Sequence, residues 1–183
     1  MTIRLVNALV LVALAVPAWA EDAPTTAKAK PLVAQAVKLP AEVFAVAPSH
    51  EPASMLVSLM DGTLARVDAT KGVTWKASLG KDAAVQLVAA PRGDVVLAGT
   101  LFELIAVSTK DSSVLWRTKR PVAFDVTADG TQVVTIDKKG VIETLAMDTG
   151  KVAATTNAGD KREVAMASVH GRSGLAVLGV ADG

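Results

Sequence analysis

Trp75 and Trp116 lie 41 positions apart, and around each of them the same succession of short apolar runs and turn residues recurs. One unit runs through Phe44-Ala45-Val46-Ala47-Pro48, then Met55-Leu56-Val57-Ser58-Leu59, then Asp61 to Asp68, and closes on Gly72-Val73-Thr74-Trp75. The next runs through Val85 to Pro91, Asp94 to Gly99 and Leu104 to Val107, closing on Val114-Leu115-Trp116. A third runs through Val122 to Ala128, Gln132 to Asp137 and Gly140 to Leu145, closing on Gly150-Lys151-Val152-Ala153. Gly62 and Gly140, two units apart, are separated by 78 positions, which sets the period at about 40 residues. Short runs of Val, Leu, Ile, Ala and Thr between turn residues are strands, so each unit holds four of them.

A period near 40 with four strands per unit is the length class of β-propeller blades; leucine-rich repeats are shorter, and helical repeats carry a 3.6-residue pattern. The expected fold is therefore all-β, with blades at about 43–81, 82–120 and 121–161 and an incomplete one at 162–183. The last unit begins with Val164 and Met166-Ala167-Ser168-Val169, continues through Leu175-Ala176-Val177-Leu178, and stops at Ala181-Asp182-Gly183, the counterpart of Met60-Asp61-Gly62. Closed propellers have about four to eight blades, and an open array leaves unpaired strand edges. A fragment of a longer chain is expected, the alternative being a homodimer that pairs two partial arrays into about seven blades.

Before the repeats stand two segments of other character. Arg4, the apolar run Leu5 to Val16, and Ala18-Trp19-Ala20 read as a signal peptide over residues 1–20, cleaved before Glu21. A membrane anchor is the alternative, but the run is short for a span and Pro17 interrupts it. Residues 21–42 are rich in Ala, Pro, Thr and Lys and read as a linker, with Leu32-Val33-Ala34 as a possible first strand. The chain holds 19 Lys and Arg against 18 Asp and Glu, and loss of Arg4 with the leader would balance the two. A balanced charge offers no basic field to nucleic acid or to an anionic membrane. With no cysteine there is no disulfide, thiolate metal site, thioether-linked haem or N-terminal lipid attachment. The expected location is the periplasm or the medium, without membrane insertion after cleavage.

The repeat also resembles known families over roughly residues 43–183. Thr127-Ala128-Asp129-Gly130-Thr131 with Val133-Val134, followed by Met147-Asp148-Thr149-Gly150-Lys151-Val152, resembles the repeat of YVTN (YncE-like) propellers. Asp61 to Gly72 with Trp75 is similar to the repeat of quinoprotein-like (PQQ-repeat, BamB-like) propellers. The Gly-His and Trp-Asp dipeptides of WD40 blades are both missing. Quinoprotein enzymes of this kind hold a quinone through acidic, amide and aromatic residues and often cysteines. A chain with no cysteine, no tyrosine and three tryptophans departs from that pattern, so the resemblance implies the fold without the cofactor.

Most repeat residues have structural work to do. Asp61-Gly62 and Asp129-Gly130 suit tight turns that need positive φ. Asp68 and Asp148 suit acceptors for backbone amides in the last turn of a unit. Trp75 and Trp116 suit covers over the seams between units. Residues left for recognition are Lys119, Arg120, Lys138, Lys139, Lys161 and Arg162, on loops expected to share one face with Asp61, Asp82, Glu103, Asp137, Asp160 and Glu163. That set reads either as a solvated mixed-charge rim or as a docking surface. His50 and His170, in the turns after the innermost strands, complete the low-weight candidate rim, with a haem or metal role as its least favoured reading. No zinc cluster, nucleophile elbow or phosphate loop is present.

The expected function is an exported module that binds or scaffolds another envelope protein, without cofactor and more a binder than an enzyme. The alternative is the partial propeller of an exported quinoprotein-like oxidoreductase or lactonase.

Overall fold

The computed structural model describes residues 9–11, 36–157, 163–171 and 174–180, and every regular element among them is a strand. No helix among the described residues is long and apolar enough to cross a membrane. Three antiparallel four-stranded sheets follow one another along the chain. The first comprises β3 (Val43–Pro48), β4 (Ser54–Leu59), β5 (Thr63–Asp68) and β6 (Gly72–Ser78). The second comprises β7 (Gln86–Ala89), β8 (Val95–Gly99), β9 (Glu103–Ser108) and β10 (Val114–Lys119). The third comprises β11 (Ala123–Val126), β12 (Gln132–Ile136), β13 (Val141–Ala146) and β14 (Val152–Asn157). A two-stranded sheet of β15 (Val164–His170) and β16 (Leu175–Val180) comes last. Within each sheet the strands pair in sequence order as a meander.

The cores lie between sheets, which explains the continuous apolar runs in the middle strands. In β8 and β9, Val96, Ala98, Ile105 and Val107 face Leu56, Leu64, Ala77 and Leu79 of the first sheet. Their neighbours Val95, Leu97, Leu104 and Ala106 face Phe124, Val126, Val133 and Leu145 of the third. Period-2 alternation thus points each half of the strand into a different seam, and both halves must be apolar. A buried polar contact crosses the first seam as well, where the Ala84 amide donates to Ser58 Oγ at 2.7 Å.

Part of the segment expected as a linker is packed. Leu39 is buried against Val57, Leu59, Ala65 and Val67, with Val37, Ala41 and Val43 beside it, so residues 37–43 cover the outer face of the first sheet. Within the segment expected as a leader, β1 (Leu9–Leu11) pairs antiparallel with β2 (Ala36–Lys38); the rest of residues 1–20 lies outside the described residues.

The turns follow the sequence. Gly62 has φ +80, and a Cβ there would come within 2.3 Å of the Gly80 carbonyl oxygen, so only glycine fits. Asp61 Oδ1 accepts from the Thr63 amide at 2.9 Å to close the same turn. Asp68 Oδ1 accepts from the amides of Thr70 and Lys71, each at 2.8 Å, and the Thr70 hydroxyl, followed by these amides, holds its pKa below the ordinary carboxylate value. The matching turn of the third sheet is closed by the Gly150 amide donating to the Ala146 carbonyl at 2.8 Å.

Candidate functional site

An antiparallel meander sends its first and third turns to one end and its second turn, with the link to the next unit, to the other. The charged residues singled out by sequence therefore divide between two ends. Lys119, Arg120, Lys138 and Lys139 lie on second turns and links, at the same end as Asp61, Asp82, Glu103, Asp137 and Glu163. His50 and His170 lie at the opposite end, at the β3–β4 turn and at the end of β15. At that end successive first turns touch: the His50 ring covers Gly93, the Arg92 stem covers Gly130, and Gly171 abuts the Val126–Thr127 backbone. The two histidines thus sit three units apart, with two blades between them, and the described residues contain no group of three or more His, Cys, Asp or Glu placed to hold a metal. Lys161, Arg162 and Asp160 lie outside the described residues.

The cationic end has a built shape. The β8–β9 turn carries Leu101 and Phe102, exposed at 65% and 66%. The Thr100 hydroxyl sets this turn by accepting from the amides of Phe102 (3.2 Å) and Glu103 (3.0 Å). The Arg120 amide donates to the Phe102 carbonyl at 2.9 Å, and the Arg120 guanidinium donates to the Thr100 carbonyl. Arg120 is thereby clamped beside the apolar tip. Leu101, Phe102, Lys119, Arg120, Lys138 and Glu163 line a hollow of about 600 Å³. A groove of about 940 Å³ continues from it past Asp137, Lys139 and Glu143.

Within the hollow three cations face one carboxylate, and the Lys138–Glu163 ion pair is long (3.9 Å) and exposed, so it neutralises little. Asp137 Oδ1 is taken up by the amides of Lys139 (2.8 Å) and Val141 (2.9 Å). Arg117, by contrast, is engaged by Glu103 at 2.8 Å and by the Leu79 carbonyl at 3.0 Å, and serves the seam. Sequence reasoning named Lys119, Arg120, Lys138 and Lys139 as candidates and did not name Leu101 and Phe102. The signal was present: an apolar pair stands where the third unit has Lys138-Lys139-Gly140 and the first has Asp61-Gly62.

No family model matches the chain, and no curated protein matches it. Among solved structures, BamB from Moraxella catarrhalis superposes with a TM-score of 0.57 at 18% identity, over 73% of this chain and 42% of that one. The sheets are propeller blades. Three complete four-stranded blades and one two-stranded unit are present among the described residues. This chain spans less than half the length of that propeller. The blades share its architecture, while at 18% identity the likeness carries no particular side chain across.

Proposed function

We propose that the chain is an exported propeller module that binds another protein of the cell envelope through the rim formed by Leu101, Phe102, Lys119, Arg120 and Lys138. The observation that carries this reading is the pairing of an exposed apolar tip with a hollow holding three cations and one acid. Two large exposed apolar side chains on a rigid turn supply an anchor, and surrounding cations steer and orient a partner of opposite charge. The occupant that fits is an extended acidic segment bearing at least one large apolar side chain. Export rests on the leader-like residues 1–20 and on the lack of cysteine, which suits a compartment where thiols oxidise.

The test is fluorescence anisotropy of labelled ten-residue peptides that combine Asp and Glu with Leu or Phe, titrated with the full chain. Binding should weaken at least tenfold in Leu101→Ser/Phe102→Ser and in Lys119→Glu/Arg120→Glu, and should fall as salt is raised. Equal binding of a lysine-bearing counterpart peptide, or indifference to both double variants, would overturn the reading.

A further inference from the structure

The seam between the first two blades departs from the one that follows it. At the second seam the Trp116 ring lies over Gly150, and its Nε1–H donates to the Met147 carbonyl at 2.7 Å. Trp75 is the counterpart of Trp116, each standing on the outermost strand opposite the equivalent position of the third strand, Arg66 and Ala106 respectively. Yet Trp75 Nε1 is buried with no hydrogen-bond partner among the described residues. The repeat has been altered across the ladder from it, where the first blade has a cation and the second a methyl group.

Arg66 stands in the cross-strand row Ala47, Leu56, Arg66, Trp75, on the face that packs on the second blade. Its side chain is 17% exposed; Nη1 pairs with Glu51 at 2.6 Å and Nε donates to Thr74 Oγ1 at 3.3 Å. Glu51 sits on the solvent side, with its side chain 55% exposed, in a turn that includes Ala53 at φ 58. Between these groups and the second blade lies a cavity of about 250 Å³ whose walls include Leu56, Val96 and Trp75 on the apolar side and Arg66, Arg92 and Glu51 among the charged groups. The Thr109 hydroxyl is already committed to the Gly93 carbonyl at 2.7 Å. The Trp75 indole donor thus faces this cavity beside the Arg66 guanidinium and an apolar wall of Leu56 and Val96, with no partner of its own among the described residues. A buried donor of this kind is rarely left unmatched, and an acceptor from outside the chain resolves it.

We propose that this cavity binds a short-chain carboxylate, its oxygens accepting from Trp75 Nε1 and Arg66 and its hydrocarbon part lying against Leu56 and Val96. The volume suits roughly six to eight non-hydrogen atoms at the ~30 Å³ that a water occupies in the liquid. Arg66 and Arg92 against Glu51 leave about one positive charge at the cavity, which matches a monovalent anion, and the apolar wall favours a carbon chain over an inorganic ion.

The test follows the indole N–H resonances of the ¹⁵N-labelled full chain, assigning Trp75 by its loss in Trp75→Phe, during titration with sodium butyrate against sodium chloride at equal ionic strength. The Trp75 resonance should shift saturably with a midpoint of about 1 mM, a scale set by so few atoms. The Trp116 resonance should stay still, and the midpoint should weaken about tenfold in Arg66→Gln. Arg66→Lys, which keeps the charge and loses the second donor nitrogen, should weaken it as well and guards against a folding defect in the glutamine variant. A cavity holding only water would show no saturable shift, and a general anion site would respond equally to sodium sulfate; either result overturns the proposal, as would an unchanged midpoint in both Arg66 variants.

Discussion

The indole Nε1–H of Trp116, on the outermost strand of the second blade, donates to the main-chain carbonyl of Met147 in the last turn of the third, at 2.7 Å. The ring of Trp116 also fills the space over Gly150. One side chain thus joins two blades by a directional bond and by area. Trp75 makes the same kind of apolar cover at the first seam without the bond.

The two tryptophans should therefore respond differently to the same change. Trp116→Phe leaves a buried carbonyl unpaired and should cost about 1–3 kcal/mol, whereas Trp75→Phe removes a donor that has no acceptor and should cost less than about 1 kcal/mol. Urea denaturation of the two variants checks this, and equal losses would refute the asymmetry.

Gly62 and Gly80 both have positive φ, but a Cβ at Gly62 would strike the Gly80 carbonyl oxygen while one at Gly80 meets nothing within 4 Å. Gly80→Ala should lose about 1–2 kcal/mol from backbone conformation alone, and Gly62→Ala distinctly more. Thermal unfolding of both variants would show the order; a reversed order would mean that the turn shifts freely.

Ser58 is fully buried and its Oγ accepts from the Ala84 amide across the first seam. Ser58→Ala leaves that amide without a partner and should cost about 1–3 kcal/mol, well above an ordinary exposed serine change. A loss within about 0.5 kcal/mol of zero would show that water or another acceptor replaces the hydroxyl.

Asp125 ties the two-stranded unit to the third blade, its Oδ2 accepting from the Gly171 amide at 2.8 Å and its Oδ1 from the Val126 amide at 2.8 Å. In Asp125→Ala, amide exchange in Val164–His170 should quicken at least tenfold while the strands of the first blade keep their protection. Uniform quickening would point to global destabilisation instead.

The Asp129 carboxylate accepts from the hydroxyls of Thr127 and Thr131 and from the Thr131 amide, which together bring its pKa down from 3.8 to about 2. Asp111 is lowered to about 2 by the Ser108 hydroxyl, then by the Ser113 hydroxyl and amide. A folded value below the unfolded one means that this stabilisation is present above the unfolded 3.8 and is lost as pH falls from there toward 2. Asp129→Asn should flatten the decline of melting temperature over that interval and leave the neutral-pH acid response elsewhere unchanged; an identical decline would remove Asp129 as a contributor.

The strands, turns and period were legible in the sequence because they are local. Asp61-Gly62 and Asp129-Gly130 adopt positive φ at glycine whatever the neighbouring blade contributes, and the runs of β8 and β9 are apolar throughout because both faces are covered. The packing of residues 37–43 on the first blade was not legible, since an Ala- and Pro-rich stretch carries no period until a sheet face is there to receive it.

The sequence by itself determined how many strands a unit has, where they turn, and that tryptophans cover the seams. Which side chains project together from the shared end depends instead on how one blade stacks on the next. Stacking set Leu101 and Phe102 out beside Arg120. It also made two equivalent tryptophans unequal: the Trp116 indole reaches a carbonyl of the following blade, while that of Trp75, opposite Arg66 rather than an alanine, has no partner among the described residues.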